Sequence, residues 1–308
     1  MIETKALAKN YGSFHALRGI DLKIEAGDVY GFIGPNGAGK TTTIRILTTL
    51  MEPTSGSATV WGHDVRTEKA SIRGIIGYMP DSFGVYQDMT VTEYMHFFAA
   101  AYGIPHRERA SLVGGLLELT DLSYKRSALI ESLSRGMHQR LALARTLVHD
   151  PQVLILDEPA SGLDPRARVE IREILRELRS MGKTILLSSH ILSELQEVCT
   201  RIGIIERGEL VAQGTLAEVM EGAREHRSVV IHTDDDARAQ VVLLEIPGVL
   251  GVSVEEGGAE LVLKVAEGLD LAEIGRHLYG RGLGVRHLES RNPSLEDIFM
   301  SLTKGLVQ

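Results

Sequence analysis

The segment from Val29 to Leu47, VYGFIGPNGAGKTTTIRIL, constrains this chain more than any other. An apolar run ends at Gly34, a glycine-rich loop follows, and a helix-forming segment starts at Lys40. The loop matches the pattern G-x-x-x-x-G-K-[ST], in which backbone N–H groups surround a phosphate and glycines allow the backbone conformations this requires. A helix that follows such a loop points the positive end of its dipole at the same anion. The sequence therefore predicts a phosphate-binding loop between a strand and a helix.

The pattern also assigns roles to individual side chains. Lys40 is expected to reach the β- and γ-phosphates of a nucleotide, and the hydroxyl of Thr41 is expected to ligate Mg²⁺. A chance glycine turn would not need a strand before it and a helix after it. We expect contacts with the nucleotide from the whole loop and the residue after it: Gly34, Pro35, Asn36, Gly37, Ala38, Gly39, Lys40, Thr41 and Thr42.

Two further apolar runs end in residues that suit nucleotide chemistry. The run Val153–Leu156 is typical of a buried strand in a parallel sheet, and it is followed by Asp157 and Glu158. Ligands lie at the carboxyl ends of such strands, where one acid can help to hold Mg²⁺ and another can orient and deprotonate a water molecule. The run Lys183–Ser188 precedes His190, for which we predict a polar contact to phosphate.

Three weaker features also suggest contacts. Tyr11 lies at a turn ahead of the phosphate-binding loop, where its ring is either an ordinary turn residue or a surface for stacking on a purine. Ser134 and Gly136 open a helix whose free N–H groups form a potential anion site, although most helices begin in this way. The loop 80–86 carries several apolar side chains, which either pack locally or contact a partner.

The composition limits the classes of protein that this chain can be. With 308 residues, 44% apolar and 24% charged, it can form one large or two ordinary globular domains. The net charge of -8 argues against a general nucleic-acid-binding surface. The single cysteine, Cys199, forbids an internal disulfide and is expected to be a small buried residue on a helix. Because no apolar run is long enough to span a membrane and no signal-peptide pattern is found, we expect a cytosolic protein.

Patterning divides the chain into two predicted domains. Residues 1–222 contain the phosphate-binding loop and the apolar strands, and residues 88–150 are largely helical in pattern. The charged stretch Glu221–Arg227 marks the boundary. Residues 223–308 follow the order βαββαβ of a ferredoxin-like module. Because this second part contains no catalytic constellation, we expect a regulatory or dimerising accessory domain.

Shorter elements are predicted from alternation and capping. Two runs, Ile2–Leu7 and Leu17–Ile24, alternate apolar and polar residues like antiparallel strands with one exposed face. Thr90, with Glu93 three residues on, forms a capping box that begins a helix. A last helix is expected after Ser294, with Asp297 as its partner, near the end of the chain.

These motifs occur together in a fixed order, and in this combination the chain resembles the nucleotide-binding subunits of ABC transporters over roughly residues 1–220. In that family's terms, residues 34–41 are the Walker A motif and residues 153–157 are the Walker B motif. Glu158 then corresponds to the catalytic glutamate. The resemblance implies an α/β P-loop NTPase with a RecA-like core, an antiparallel β subdomain and a helical subdomain, followed by the ferredoxin-like domain.

The resemblance extends to the motifs between and around these two. It identifies Ser161–Asp164 as the D-loop, with Asp164 at its end, His190 as the switch histidine, and Tyr11 as the aromatic that stacks on adenine. The segment in the place of the LSGGQ signature is expected to contact the ATP of a partner subunit through four residues: Ser134, Arg135, Gly136 and Met137. The cofactors implied are ATP and Mg²⁺.

Three positions depart from the family pattern. Asp81 stands where the family usually has the Q-loop glutamine, and an aspartate there can still bind Mg²⁺ or water while it adds negative charge near the γ-phosphate. We therefore expect Mg²⁺ to be held by Thr41, Asp157 and Asp81, with Gln87 as a less favoured substitute for Asp81. Arg135 replaces the first signature glycine and Met137 the glutamine. Function is expected to survive these changes because the resemblance assigns the phosphate contacts mainly to Ser134 and the next glycine.

The resemblance implies a dimer in which two such subunits, expected to be identical, enclose two ATP molecules. Closing and reopening of this pair would drive export through an integral membrane permease of the ABC-2 type, seated against Phe83, Val85 and Tyr86. The chain would then be peripheral on the cytoplasmic face of the membrane, with no nucleic acid as partner.

Two other classes of function are weighed against this interpretation. A soluble ABC-type ATPase acting on ribosomes or DNA is disfavoured, because the chain has one ATPase unit, no coiled-coil insertion and an acidic balance. A GTPase switch is disfavoured because no Asn-Lys-x-Asp guanine-reading motif is present.

Overall fold

The computed structural model describes residues 1–82, 84, 88–189, 191–222, 227–254, 260–266, 268–291, 296 and 299. The chain forms two compact units, of which the first runs from Met1 to Leu216 and the second begins at Ala217. The sequence placed this boundary six residues later, after the helix Leu216–Gly222. A strand that ends at Thr215 leads directly into this helix. Because no glycine or proline lies between the two elements, no turn residue marks the division in the sequence.

The first unit alternates strands and helices. In chain order its elements are β1 (Ile2–Tyr11), β2 (Phe14–Ile20), β3 (Lys23–Ile24), β4 (Val29–Ile33), α1 (Lys40–Leu47), β5 (Ser55–Val60), β6 (His63–Asp64), α2 (Lys69–Ile75), β7 (Ile76–Met79), α3 (Val91–Ala101), α4 (His106–Leu119), α5 (Arg135–Thr146), β8 (Val153–Asp157), α6 (Pro165–Ser180), β9 (Thr184–Ser189), α7 (Leu192–Gln196), β10 (Arg201–Glu206) and β11 (Glu209–Thr215). Among the described residues, no helix combines the length and apolar character that a bilayer crossing requires.

A central sheet of six strands has the order β11-β10-β4-β9-β8-β7. The strands β10, β4, β9, β8 and β7 are parallel, and β11 pairs antiparallel with β10 at the edge. Every residue of β4 and β8 is buried, because both faces of these inner strands are covered. The prediction of buried parallel strands is confirmed. Since the strands are parallel, the segments that follow β4, β7, β8 and β9 all lie at one edge of the sheet.

A second sheet is antiparallel, with the order β2-β1-β5-β6 and β3 paired to β1. The first predicted strand, Ile2–Leu7, is too short, since pairing with β2 continues through irregular register to Tyr11 opposite Phe14. The second predicted run is two strands, β2 and β3, because the chain leaves the β2 pairing after Ile20 and meets the start of β1 instead. The short elements β6 and α2 were not predicted.

The helical segment begins as the sequence predicts. Thr90 caps α3, its hydroxyl accepts the N–H of Glu93, and the Glu93 side chain accepts the N–H of Thr90. Helices α3 and α4 pack together and onto α5, which leads into β8. Cys199 is buried as expected, but it lies after α7 rather than within a helix.

The second unit contains α8 (Leu216–Gly222), which starts at the division, and then β12 (Arg227–Thr233), α9 (Asp236–Leu243), β13 (Val249–Val254), β14 (Leu261–Val265), α10 (Leu271–Gly280) and β15 (Val285–Arg291). Its sheet is antiparallel with the order β13-β14-β12-β15. The βαββαβ order predicted for a ferredoxin-like module is confirmed. Ser294 and Asp297, which were expected to begin a last helix, lie outside the described residues.

Candidate functional site

One edge of the central sheet carries most of the predicted site. The phosphate-binding loop follows β4, Glu158 follows β8, and Asp81 lies two residues beyond the end of β7. These segments surround a cavity of about 420 Å³. Its lining contains most of the predicted nucleotide contacts together with three residues for which no nucleotide contact was predicted, Phe14, Ala16 and Ser161. The full lining is Tyr11, Phe14, Ala16, Pro35, Asn36, Gly37, Ala38, Gly39, Lys40, Thr41, Thr42, Asp81, Glu158 and Ser161.

The loop has the backbone conformation that its glycines allow. Gly37 and Gly39 have φ angles of 82° and 112°, in the region that residues with a side chain rarely adopt. Gly39 is the N-cap of α1, and no described side chain caps this helix. The N–H groups of the first turn are therefore available to an anion, and the helix dipole favours one.

Lys40 is nearly buried and lies between backbone oxygens and an acid. Its Nζ donates to the carbonyl of Gly34 over 2.5 Å and to that of Pro35 over 3.3 Å. The same atom is 3.6 Å from Oε1 of Glu158. Burial lowers the pKa of Lys40, and the neighbouring Glu158 carboxylate opposes this shift. The ammonium group is thus held at the loop, where phosphate oxygens can offset its loss of hydration.

Asp157 is a buried acid at the end of β8, with only 1% of its surface exposed. Its Oδ1 accepts the hydroxyl of Ser188 over 2.6 Å and that of Thr41 over 3.4 Å. Burial raises the pKa of Asp157, although both hydrogen bonds oppose the change. A divalent cation beside this carboxylate would remove much of the cost of its burial, so Thr41 and Asp157 are suited to Mg²⁺. No cluster of three or more His, Cys, Asp or Glu side chains that could hold a metal occurs among the described residues.

Glu158 has a strained backbone. Its φ of 52° lies in the left-handed region, which costs a residue with a side chain about 1–2 kcal/mol. Two hydrogen bonds hold this conformation: the N–H of Glu158 donates to Oγ of Ser188 over 2.9 Å, and its carbonyl accepts the N–H of Ser161 over 3.1 Å. The turn directs the Glu158 side chain toward Lys40 and the cavity.

Two aromatic side chains from the β1–β2 hairpin stand at the cavity. Tyr11 and Phe14 are paired across the hairpin and are 46% and 47% exposed. The hydroxyl of Tyr11 contacts the sulfur of Met51 at 2.9 Å, and Nζ of Lys9 is 5.4 Å from the centre of its ring. Exposed aromatic faces beside a phosphate-binding loop are suited to stacking on a nucleotide base.

The signature segment does not line this cavity. Ser134 is the N-cap of α5, and its Oγ accepts the N–H of Met137 over 3.3 Å. Arg135 is exposed and donates to the carbonyl of Ser161, whereas Gly136 is buried. These four residues therefore form no part of the cavity lining of their own chain.

Other predicted residues lie apart from the cavity or cannot be placed. Asp164 is the N-cap of α6, where its Oδ1 accepts the N–H of Ala167 over 2.9 Å. Four residues for which roles or partners were predicted lie outside the described residues: Phe83, Val85, Tyr86 and His190. The same holds for Gln87, the alternative to Asp81.

Sequence reasoning missed Ser188 and Phe14, and it named Ser161 only as the start of the D-loop, not as part of the cavity lining. Ser188 bridges Asp157 and Glu158, and the only sequence signal for it was a hydroxyl at the end of a buried strand. Phe14 could have been inferred from its place three residues after Tyr11 in one hairpin. Ser161 lines the cavity because the turn after Glu158 folds back toward the loop.

Comparison with known proteins assigns families to both parts of the chain. Residues 17–161 match the family described as ABC transporter. Residues 214–303 match the family described as ATP-binding protein DrrA1-3-like, C-terminal domain. The two matches fall largely within the first and second units of the structure, respectively.

The chain is similar to curated ATP-binding proteins over nearly its whole length. It is 35% identical to the Nod factor export ATP-binding protein I of Burkholderia orbicola over 302 residues, which cover 98% of this chain and 96% of that protein. It is 34% identical to the daunorubicin resistance ATP-binding protein DrrA3 of Streptomyces coeruleorubidus over 297 residues, or 96% of this chain and 93% of that protein.

Solved structures are similar to about seven tenths of this chain. An ATP-binding subunit of an ABC transporter is 31% identical, has a TM-score of 0.65, and is matched over 72% of this chain and 92% of its own. A dimeric ATP-binding cassette in a post-hydrolysis state, bound to ADP and Pi, is 26% identical with a TM-score of 0.64, over 70% of this chain and 99% of its own.

Proposed function

The chain belongs to the ATP-binding subunits of ABC transporters, which are ATPases, and we propose that two copies of it hydrolyse two ATP molecules to drive export through a separate membrane subunit. The observation that carries the proposal is the meeting of Lys40, Asp157 and Glu158 around one phosphate-binding loop. This arrangement provides a cation for the phosphates, an acid for Mg²⁺ and a second acid for water.

Within one subunit, the residues would divide the work as follows. The loop from Gly34 to Thr42 would bind the phosphates through its N–H groups, and Lys40 would neutralise the β- and γ-oxygens. Thr41, Asp157 and Asp81 would hold Mg²⁺, which supplies positive charge to the transferred phosphoryl group. Tyr11 would stack on adenine.

Glu158 would orient the attacking water and accept its proton. A general base must lie within hydrogen-bond reach of the water, and the φ of 52° at this residue aims its carboxylate into the cavity rather than along the strand. Ser188 would keep the base in place through the N–H of Glu158. His190 is proposed to contact the γ-phosphate, in agreement with its position one residue after β9.

The signature residues would complete the site of the partner. Because Ser134, Arg135, Gly136 and Met137 do not line the cavity of their own chain, a second subunit is needed to bring them to ATP. The dimeric form of the similar cassette supports this arrangement. Asp164, at the N-cap of α6, would lie near the interface between the subunits.

Export is proposed from the relatives, one of which is named for Nod factor export and another for daunorubicin resistance. The membrane partner would be a permease of the ABC-2 type, and the chain would sit on the cytoplasmic face of the membrane. No observation favours the alternative of an ATPase that acts on ribosomes or DNA.

The proposal is tested with Glu158→Gln, which removes the base but keeps a similar shape. We expect the variant to bind ATP and to form a stable ATP-dependent dimer, while kcat falls on the order of 10²-fold or more. Glu177→Gln is the matched control, because Glu177 is an exposed residue of α6 away from the cavity, and it should keep the activity of the unaltered chain. Near-normal hydrolysis by Glu158→Gln would exclude Glu158 as the base.

The trapped dimer also tests the partner. Tagged Glu158→Gln protein, purified with ATP from detergent-solubilised cells, should retain a multi-spanning membrane protein in stoichiometric amount. Recovery of ribosomal proteins, or of no membrane protein, would instead favour the ATPase without a permease.

A further inference from the structure

Arg135 links the start of the signature helix to the loop that follows Glu158. Its Nη2 donates to the carbonyl of Ser161 over 3.1 Å. Arg135 is the first residue of α5, whereas Ser161 lies in the turn before α6 and lines the ATP cavity of the same chain. The side chain thus connects the segment proposed to face the partner's ATP with the subunit's own site.

Gly162 makes room for this contact. It has a φ of 67°, and a Cβ at this position would collide with the guanidinium of Arg135. The planar guanidinium therefore lies against the backbone of residue 162 while it binds the carbonyl of Ser161. A flat, delocalised cation can make both contacts at once, whereas the compact ammonium of a lysine cannot.

From Ser161 the connection continues to the proposed base. The N–H of Ser161 donates to the carbonyl of Glu158 over 3.1 Å and closes a tight turn. Glu158 has the left-handed φ of 52°, a conformation that persists only where its surroundings hold it. Arg135 holds the far end of this turn, and Ser188 holds its near end.

Local helix stability does not account for an arginine here. A cation in the first turn of a helix is unfavourable, since that end carries the positive end of the dipole. Ser134 already caps α5, and Arg135 itself is exposed rather than packed in the core. The contact with residues 161 and 162 is therefore the structural effect that distinguishes an arginine at this position.

We propose that Arg135 is a positioning residue that acts in cis and fixes the turn after Glu158 of its own subunit. The signature helix of a subunit would thereby control the position of the general base, Glu158, in that same subunit. The inference rests on the proposed function, because it needs two ATP molecules between two subunits. In that dimer, the ATP touched by the signature segment belongs to the other site, so Arg135 couples hydrolysis at one site to occupancy of the other.

Mixed dimers separate this role from direct phosphate binding. In the first dimer, an unaltered subunit is paired with a subunit that carries both Glu158→Gln and Arg135→Ala. In the second, an Arg135→Ala subunit is paired with a Glu158→Gln subunit. Each dimer keeps one Glu158 and one Arg135, which share a chain in the first dimer and lie on different chains in the second. Two affinity tags isolate the mixed dimers, which are preformed with ATP, and Mg²⁺ starts a single turnover.

We expect the first dimer to hydrolyse ATP on the order of tenfold faster than the second, because a base displaced by a fraction of an ångström loses rate steeply. A faster second dimer would overturn the inference, because the contact with the partner's ATP would then be the only role left for Arg135. Equal rates would also overturn it. If no pairing gave an ATP-dependent dimer, the proposed function itself would fail and the inference with it.

Two further variants complete the test. Arg135→Lys keeps the charge but not the flat guanidinium. When Arg135→Lys replaces Arg135→Ala in the second dimer, the rate should therefore stay low. A rate equal to that of the first dimer would contradict the positioning role. Arg166→Ala is the matched control, since Arg166 is also in the first turn of a helix and its side chain is 91% exposed. When Arg166→Ala replaces Arg135→Ala in both mixed dimers, the two dimers should hydrolyse ATP at equal rates. The unaltered homodimer should show a Hill coefficient for ATP above 1, which Arg135→Ala lowers toward 1.

Discussion

Replacement of Ser188 by alanine removes one buried hydroxyl that binds both acidic residues of the site. Its Oγ donates to Asp157 over 2.6 Å and accepts the N–H of Glu158 over 2.9 Å, and the residue has no exposed surface. Each partner left without its bond costs about 1–3 kcal/mol. We therefore expect Ser188→Ala to lower the free energy of unfolding by roughly 2–4 kcal/mol, which corresponds to a fall in Tm of about 5–15 °C.

The same change should slow hydrolysis. Without the bond from its N–H to Ser188, the strained backbone of Glu158 loses one of its two supports, and kcat should fall about 10- to 100-fold. The KM for ATP should change little, because Lys40 and the phosphate-binding loop make no hydrogen bond to Ser188. Steady-state ATPase kinetics and thermal melting of the nucleotide-free protein measure the two effects separately.

Thr4→Val provides a matched control for the loss of a buried hydroxyl. Thr4 is 3% exposed, and its hydroxyl also makes one donated and one accepted bond, to the carbonyl of Ile20 over 2.7 Å and from the N–H of Leu22 over 2.8 Å. It lies in the antiparallel sheet, away from the cavity lining. We expect a comparable fall in Tm without the fall in kcat. If both variants lost stability equally and both kept kcat within about twofold, less than one hydrogen bond's worth, the positioning role of Ser188 would be refuted.

Two further predictions concern the residue that would hold Mg²⁺ and the residue that would stack on adenine. Asp157→Asn should abolish Mg²⁺-dependent hydrolysis yet raise the Tm of the nucleotide-free protein, because burial raises the pKa of Asp157 and so disfavours its charged form in the folded chain. This gain in Tm should be absent below the ordinary aspartate pKa of about 3.9. It should grow as the pH rises through the higher pKa that Asp157 has in the folded chain. An Asp157→Asn variant less stable than the unaltered chain at neutral pH would contradict the prediction. Tyr11→Ala should weaken ATP binding about tenfold, since stacking on a base contributes about 1–3 kcal/mol, while Tyr11→Phe and the exposed-tyrosine control Tyr124→Ala should bind normally in fluorescence titrations with mant-ATP.

Local patterns were sufficient to predict the elements that carry the site. The apolar runs before Gly34 and Asp157 are inner strands whose every residue is buried, and the glycine-rich loop leads into a helix at Lys40. The same patterns predicted the ferredoxin-like order of the second unit. In each case the signal lies within about ten consecutive residues, so pairing partners did not need to be known.

Contacts between distant segments could not be predicted in this way. Ser188 reaches Asp157 because β8 and β9 are neighbours in the sheet. The sequence of either strand alone does not indicate which strands will be neighbours. The contact between Arg135 and Ser161 likewise depends on how α5 meets the turn before α6. The helix α2 was missed because it has seven residues and buries only Ile72, which is too short for a helical period to show.

The position of β4 inside the central sheet has a consequence for how the protein is made. Its two neighbours are β9 and β10, which come late in the chain, from Thr184 and Arg201 onwards. During synthesis the phosphate-binding loop therefore emerges early, on an apolar strand that has no partner until Ser189 has left the ribosome and has partners on both sides only after Glu206 has left it. The hairpin of β1 and β2 can form long before this. Nucleotide can thus bind only when almost the whole first unit has been translated, and until then the exposed edges of β4 are a target for chaperones.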